Sequence, residues 1–496
     1  MGCAGSVPTK TVKVDESTTK TAEVVLAARS SSSEKGSIQE LDAEHRRTRL
    51  AKGVAESLLV PTLPQQPAPA GAVRVMQWNV LADGLSDDGF LVQDILEASG
   101  AEPNDPSAAG RQADLRACSD AVASARAKGD EDGLKTLQAQ LGTDRQRRNH
   151  EATVAWECRW PLIKAKIAAS APHVICLQEL DHLADAIVDL GALGYVCGPP
   201  GAKYVPAHTV SGCAKRSEDA YDPAAFLSHL ESVGLAFAPK VPSTCRELSR
   251  KRAGGEAADD DGVAIFWRAS LFEMERLAFL SQPDKTRSQG AVLVKLRSTA
   301  QGTAAPTSFS VLSAHLPSGA SAKDMASRHT VLSTPSCVKT SATELTGPSL
   351  CEWFAHAAGD APTIWCMDSN AAPNHASGSP AWLAVMQSCE AVGGVRSVWE
   401  PFFDVASGDA IEGVLAPATV NKMRGPLSGQ ARKIGEHHCE VIDQIFVAPK
   451  ACVERLDFVR PPLVYAGEDA ARAELMPSLS VPSDHACVIV DVTFAS

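Results

Sequence analysis

The chain has 496 residues, with 47 Lys and Arg against 59 Asp and Glu and a formal net charge of −12. Hydrophobic residues make up 44% and charged residues 21%, which excludes a wholly disordered, collagenous or coiled-coil protein and supplies material for a large core. No run of about 18 apolar residues predicts a membrane-spanning helix, and the acidic balance argues against charge-driven adhesion to nucleic acid while leaving room for a locally basic pocket.

The first residues, Met1-Gly2-Cys3-Ala4-Gly5-Ser6, match the pattern for N-myristoylation at Gly2, with Cys3 beside it as a palmitoylation site. The pairing matters because a single myristoyl chain gives only marginal, reversible binding and a second signal makes it stable. Lys10, Lys13 and Lys20 add weak attraction to anionic lipid. Residues 7–35 are Thr-, Ser- and Lys-rich and read as disordered, and residues 36–59 as a short helix anchored by Ile38, Leu41, Val54 and Leu58. Pro61–Ala70 reads as an extended, semi-rigid linker. The expected organisation is a tail over residues 1–70 and a single catalytic domain over 71–496. Fourteen cysteines contain no C-x-x-C, and Cys176, Cys366 and Cys487 sit in apolar runs as small hydrophobes. With no apolar signal region near the start, the expected location is a reducing intracellular compartment, cytoplasmic and tethered to membrane by lipid.

From residue 73 the chain shows short Val/Ile/Leu-rich strands, suited to burial between layers in an α/β fold. They are predicted at Val73–Val80, Val174–Leu177, Gly262–Arg268, Ala291–Leu296, Phe309–Ala314, Thr363–Met367, Val441–Val447 and Ala486–Phe494. A helix is predicted over Trp156–Ser170, with Trp156, Trp160, Ile163 and Ile167 on one face. Two segments read as surface insertions. Residues 101–150 suggest a helical hairpin broken at Gly129–Gly133, and residues 199–261 read mainly as loop, with an acidic run at Asp259–Asp261.

Many of these strands carry an unusual polar residue at one end. Asn79, Glu179, His315, Asp368, Asn370, Asp443, Asp484 and His485 all occupy such places. Strand ends in a layered fold converge on one rim, and burying carboxylates and imidazoles there is costly unless a metal or a network compensates. Metal-assisted hydrolysis of a phosphate ester fits this set. Mg²⁺, or Mn²⁺ in its place, binds through one or two carboxylates and the substrate phosphate. Glu179 is the candidate direct ligand, Asp368 the group that orients or deprotonates water, and Asn370 its positioner. His485 would donate to the phosphoryl group with its tautomer held by Asp443. His437-His438-Cys439 lack zinc-ligand spacing and read as a loop near the Asp443 strand.

Six segments occur in order: Val75–Ala82, Ile175–Asp181, Ser313–Leu316, Trp365–Asn370, Ile442–Phe446 and Pro482–His485. Over roughly residues 73–494 they resemble the endonuclease/exonuclease/phosphatase superfamily, most of all nocturnin and the carbon-catabolite-repressor type deadenylases. Trp156-Glu157 with Arg159, and Asp261–Phe266, extend the likeness. The resemblance implies a two-sheet β-sandwich flanked by helices, in four layers, with Mg²⁺-dependent phosphoester cleavage at one end. It implies that Asn79 and Glu179 form the metal-site pair and that His315 steadies the transition-state phosphate. Asp368 and Asn370 match its Asp-x-Asn pair, and Asp443, Asp484 and His485 its closing Asp and Asp-His.

Departures fall on the substrate side. Pro317 and Gly319 stand where nocturnin-like proteins carry basic residues, Met367 replaces a Gly, and Gln444 replaces an aromatic. Lys323, Arg328, Lys422, Arg424 and Lys433 are the candidate replacements for the missing positive charge. The leading expectation is a 3′–5′ RNA exonuclease, deadenylase-like, or a nucleotide phosphatase, whose partners are an RNA or nucleotide substrate and a membrane surface, with no obligate protein partner. A membrane-tethered phosphoinositide or phospholipid phosphodiesterase or phosphatase of the same fold is the alternative. A non-catalytic membrane scaffold is the third reading, against which the complete set of polar strand ends counts.

Overall fold

The computed structural model describes residues 67–82, 89–92, 153–205, 223–239, 261–283, 288–299, 308–319, 321–334, 348–373, 379–404, 406–425, 435–478 and 481–495, with a few isolated residues and two short strands between them. All of these belong to the compact unit Lys52–Ser496. Gly2, Cys3, the tail, the helix expected at 36–59, the first part of the linker and nearly all of 101–150 lie outside the described residues.

The chain order begins β1 (Ala72–Asn79), α1 (Trp156–Ser170), β2 (Val174–Gln178), α2 (Leu183–Ala192), β3 (Tyr195–Val196), α3 (Pro223–Val233), β4 (Phe237–Pro239) and β5 (Gly262–Arg268). It continues with β6 (Phe272–Pro283), β7 (Ser288–Ser298), β8 (Ser308–His315), α4 (Ala322–Ser333), β9 (Cys337–Lys339), β10 (Glu344–Thr346), α5 (Leu350–Asp360) and β11 (Thr363–Asp368). Next come α6 (Ser379–Ser388), β12 (Arg396–Ser397), β13 (Pro417–Ala418), β14 (Val420–Met423), β15 (His437–Glu440) and β16 (Asp443–Ala448). The last elements are β17 (Val453–Phe458), β18 (Leu463–Val464), α7 (Glu468–Arg472) and β19 (Val488–Phe494).

Two mixed sheets dominate. The first runs β17-β19-β1-β2-β5-β3, with β4 added to β5, and the second runs β12-β16-β11-β8-β7-β6. One continuous core joins them, from Val75 and Ile175 on the first sheet to Val311, Ile364 and Phe446 on the second. Every residue of β1, β2 and β11 is buried, as expected of strands covered on both faces. α1 buries Trp156, Trp160, Ile163 and Ile167, the face that helical periodicity predicts. It stops at Ala171, a left-handed residue (φ 45°) whose N–H caps Ile167 O. Ser321 with Asp324 and Ser349 with Glu352 form capping boxes that start α4 and α5. α5 packs Phe354 on Trp365 of β11 at 5.0 Å between ring centroids. The two-sheet α/β sandwich expected from the sequence is therefore the fold.

Two expectations are corrected. The part of the 199–261 segment among the described residues is not all loop, since it contains α3 and β4, and Leu235, Ala236, Phe237 and Ala238 are buried. Phe237 pairs with Ala264 on β5, and a Cβ on the adjoining Gly262 would sit 2.5 Å from Ala238 O. A four-residue apolar run can thus complete a sheet edge even inside a Gly- and Pro-rich stretch. His437, His438 and Cys439 form part of β15, paired with β14, rather than a loop. The described cysteines are free thiols, and no described helix is long and apolar enough to cross a membrane.

The buried ring of Phe237 yields a test of the first correction. Phe237→Ala should cost about 3–5 kcal/mol through lost burial and a residual cavity. Urea unfolding measures this, and a change below about 1 kcal/mol would return the segment to surface decoration.

Candidate active site

Strand register alone gathers most of the site. In the second sheet Asp368 on β11 lies opposite His315 on parallel β8 and opposite Asp443 on antiparallel β16. In the first sheet Asn79 ends β1 opposite Gln178, and Glu179 follows directly. The sheets are tied at this rim by Asn79, whose Nδ2 donates to Asp368 Oδ2 at 2.8 Å. All eight polar strand-end residues singled out from the sequence meet here.

The most buried part is the pair of His485 and Asp443, with His485 Nδ1 2.8 Å from Asp443 Oδ2. Gln77 Nε2 donates to the other Asp443 oxygen at 3.1 Å. Trp78 Nε1 donates to His485 O and Trp399 Nε1 to Asp443 O, each at 2.9 Å. The backbone of each partner is therefore held by a fully buried indole. Thr419 Oγ1 accepts from the N–H groups of Ile442 and Asp443. Burial pulls the His485 imidazolium down, but the carboxylates of Asp443, Asp484 and Asp368 outweigh it and raise its pKa to about 9. Nε2 is left facing Asp368 Oδ2 at 3.8 Å.

Glu179, His315 and Asp368 form the adjoining group. Single donor atoms from the three lie within 4.8 Å of one another. His315 Nε2 is 3.3 Å from Asp368 Oδ2 and 3.8 Å from Glu179 Oε1. Asn370 Nδ2 donates to Leu316 O at 2.9 Å and lies 3.0 Å from His315 Nε2. One imidazole nitrogen and two carboxylate oxygens face one another, an arrangement that a divalent cation stabilises. The donor set of two carboxylates and one imidazole fits such an ion. Asn79 borders this group, its Nδ2 donating to Asp368 Oδ2 and its Oδ1 accepting from the Leu81 N–H at 2.9 Å.

Backbone strain clusters at the same place. Leu81 (φ 60°), Glu179 (φ 54°) and Asn370 (φ 48°) occupy the left-handed region, three of the four described non-glycine residues with positive φ. Such conformations cost about 1–3 kcal/mol each and persist where neighbours over-determine them. At Glu179 the Ala82 N–H donates to Oε2 at 3.1 Å. At Asn370 the backbone N–H donates to Asp368 Oδ1 at 2.9 Å. Burial pushes the Asp368 carboxyl above its ordinary range against the pull of His485 and His315.

Asp484, buried beside His485 Nε2 at 3.9 Å, pairs with Lys422 Nζ. Burial would raise its pKa, but Lys422 and His485 hold it well below the usual carboxylate range. Burial pulls Lys422 down, and Asp484 and Glu179 nevertheless keep it above the ordinary lysine value. The Arg424 guanidinium lies 4.4 Å from the Phe90 ring centroid, and Lys422 Nζ lies 6.0 Å from it. Of the candidate cations, then, Lys422 and Arg424 stand at the rim. Lys323 is exposed on α4, Lys433 is outside the described residues, and Arg328 is buried, donating to Pro317 O and Gly319 O.

Sequence reasoning missed Gln77, Gln178 and Ser313 as site residues. They form a buried polar chain behind Asp443, with Gln77 and Gln178 exchanging amide bonds and Gln178 Nε2 donating to Ser313 Oγ at 3.1 Å. The available signal was a glutamine interrupting each of two apolar strands.

No family model matches the sequence, and no curated protein sequence matches it. Among solved structures the chain is similar to the human nocturnin catalytic domain with bound sulfate, at 17% identity and a TM-score of 0.42, covering 88% of this chain and 98% of that one. It is similar to ANGEL2, a 2′,3′-cyclic phosphatase solved with adenosine-2′,3′-vanadate, at 12% identity and a TM-score of 0.40, covering 86% and 97%. An endonuclease/exonuclease/phosphatase family protein from Bacteroides thetaiotaomicron is similar at 13% identity and a TM-score of 0.36, covering 86% and 99%. Likeness at this level carries no argument about chemistry, which rests on the geometry above.

The His485 pair sets a pH dependence of stability. The folded chain keeps this proton up to about pH 9, against 6.5 for an ordinary histidine. The contribution is complete below 6.5 and is lost as pH rises through 9. Urea unfolding between pH 6 and 10 should show stability falling by up to about 3 kcal/mol, and His485→Asn should flatten the curve. A flat wild-type curve would rule out the ion-paired state.

Proposed function

We propose that this chain is a metal-dependent phosphoester hydrolase acting on RNA 3′ ends or on a nucleotide. The observation that carries the proposal is the meeting of two groups on one rim. Glu179, His315 and Asp368 converge within 4.8 Å, and the His485–Asp443 pair stands beside them. Glu179, with His315 and Asp368, would hold Mg²⁺ or Mn²⁺, which when bound neutralises charge on phosphoryl oxygens. Asp368, fixed by Asn79 and the Asn370 N–H, is suited to orient the attacking water and take its proton. His485 keeps its charge at neutral pH and presents Nε2 toward the same space, where it would stabilise negative charge on the phosphoryl group. Asn370 orients the His315 ring. Lys422 and Arg424, packed beside the buried Phe90, supply positive charge for a substrate that carries phosphate.

Turnover should be sought with the purified full chain against oligo(A), a dinucleotide 2′-phosphate, a nucleoside 2′,3′-cyclic phosphate and a phosphoinositide. It should need Mg²⁺ or Mn²⁺, fail with Ca²⁺ and stop in excess chelator. Glu179→Gln should lower kcat by about 10²-fold or more without lowering the unfolding midpoint. Full activity in chelator would overturn the metal reading, and preference for the phosphoinositide would move the substrate to the membrane. No turnover of any of the four would favour a scaffold.

The acylation motif at Gly2 and Cys3 supports tethering to an intracellular membrane, with myristate contributing about 0.8 kcal/mol per buried CH₂ and palmitate making residence stable. In a fluorescent fusion of residues 1–20, Gly2→Ala should leave the signal diffuse and Cys3→Ser should leave weak partitioning. A diffuse wild-type fusion in cells with active acyltransferases would make the enzyme cytosolic.

A further inference from the structure

We propose that Arg159 is a positioning residue that locks the loop after Asn79 to the loop before Asp484 and His485, so that groups from opposite ends of the chain meet in working register. The proposal rests on the hydrolase reading above.

Arg159 lies in the first turns of α1 and is 0% exposed. An amphipathic helix gains nothing by burying a guanidinium where a leucine would pack, and desolvating a charge is costly unless it is fully hydrogen-bonded. Its bonds run to backbone carbonyls of three separate segments. Nε donates to Val154 O at 2.6 Å, Nη1 to Val80 O at 2.5 Å, and Nη2 to Leu81 O at 2.7 Å. Nη1 also reaches Pro482 O at 3.4 Å. Val80 and Leu81 directly follow Asn79, and Pro482 lies two residues before Asp484. The same loops are stitched by Ser483, whose Oγ donates to Asn79 O at 2.7 Å and accepts from the His485 N–H at 3.1 Å. Leu81, whose carbonyl accepts from one arm of the fork, is one of the left-handed residues at φ 60°. A rigid planar fork can hold that conformation and both loops at once, whereas a lysine has a single nitrogen and cannot.

The test uses the full chain with Mn²⁺ and bis(p-nitrophenyl) phosphate as the probe. Arg159→Lys and Arg159→Ala should each lower kcat by about 10–10²-fold with KM changed less than about threefold, as expected when reacting groups are misplaced by a fraction of an ångström. Millimolar guanidinium should restore at least about tenfold of the loss in Arg159→Ala and leave wild type unaffected. Unchanged kcat in a folded variant, a change confined to KM, or a loss that guanidinium does not recover would each overturn the proposal. Should neither variant fold by circular dichroism, hydrogen exchange on wild type decides. The amides of Leu81 and Ala82 and those of Ser483 to His485 should open together at one protection level, and independent opening would overturn the clamp. A wild-type chain inactive on the probe and on all four substrates would sink the hydrolase reading instead, while the exchange result still judges the clamp.

Discussion

The desolvation of Asp368 is the constraint on which the rest of the site depends. A carboxylate 1% exposed, flanked on neighbouring strands by His315 and Asp443, is unstable unless every lone pair finds a partner and its charge is balanced. Asn79 answers one oxygen and the Asn370 N–H the other. The His485 imidazolium, with Nε2 3.8 Å from Asp368 Oδ2, supplies the balancing charge. Because each of these groups sits on a different strand end, satisfying one carboxylate requires both sheets to hold a common register. Architecture and chemistry are thus the same problem at this rim.

Around that centre, much of the bonding is done by groups that need not change protonation state. The indoles of Trp78 and Trp399 hold backbone carbonyls, Thr419 holds two N–H groups, and Gln77 and Gln178 of the first sheet bond to Asp443 and Ser313 of the second. Such a frame keeps donors and acceptors aimed before any substrate arrives, which is the condition for strong electrostatic stabilisation in a dry site. The left-handed Leu81, Glu179 and Asn370 mark where the frame bends the chain to aim a side chain.

How much of this is legible in the sequence depends on the kind of signal. Asn79, Glu179, His315, Asp368 and Asp443 are visible because each interrupts or ends an apolar run, and the runs themselves delimit the strands. Register is not visible: nothing local states that Asp368 faces both His315 and Asp443, since pairing is decided by the packing of whole sheets. Gln77 and Ser313 look like incidental polar positions until their partners are known. The Lys422–Asp484 pair joins residues 62 apart, with no periodicity to betray it. β6 escapes notice because Glu273, Glu275 and Arg276 break its apolar content at an edge, and α3 and β4 are masked by the glycines and prolines around them.

The position of β19 has a consequence for how the protein is made. β19 lies between β17 and β1 in the first sheet, pairing with β1 from Ala72 against Thr493 to Gln77 against Val488. A ribosome therefore delivers β1 roughly 400 residues ahead of its neighbour, a delay on the order of 20–80 s at ordinary elongation rates. Throughout that time the hydrogen-bonding edge of β1, with Val73, Val75 and Trp78 beside it, waits without its cover, the kind of surface that draws nascent chains into aggregates or chaperones. His485 emerges only just before β19, so the last strand delivered both closes the sheet and follows the final catalytic group. A product cut short within β19 would lose a strand paired on both sides, not a loose end.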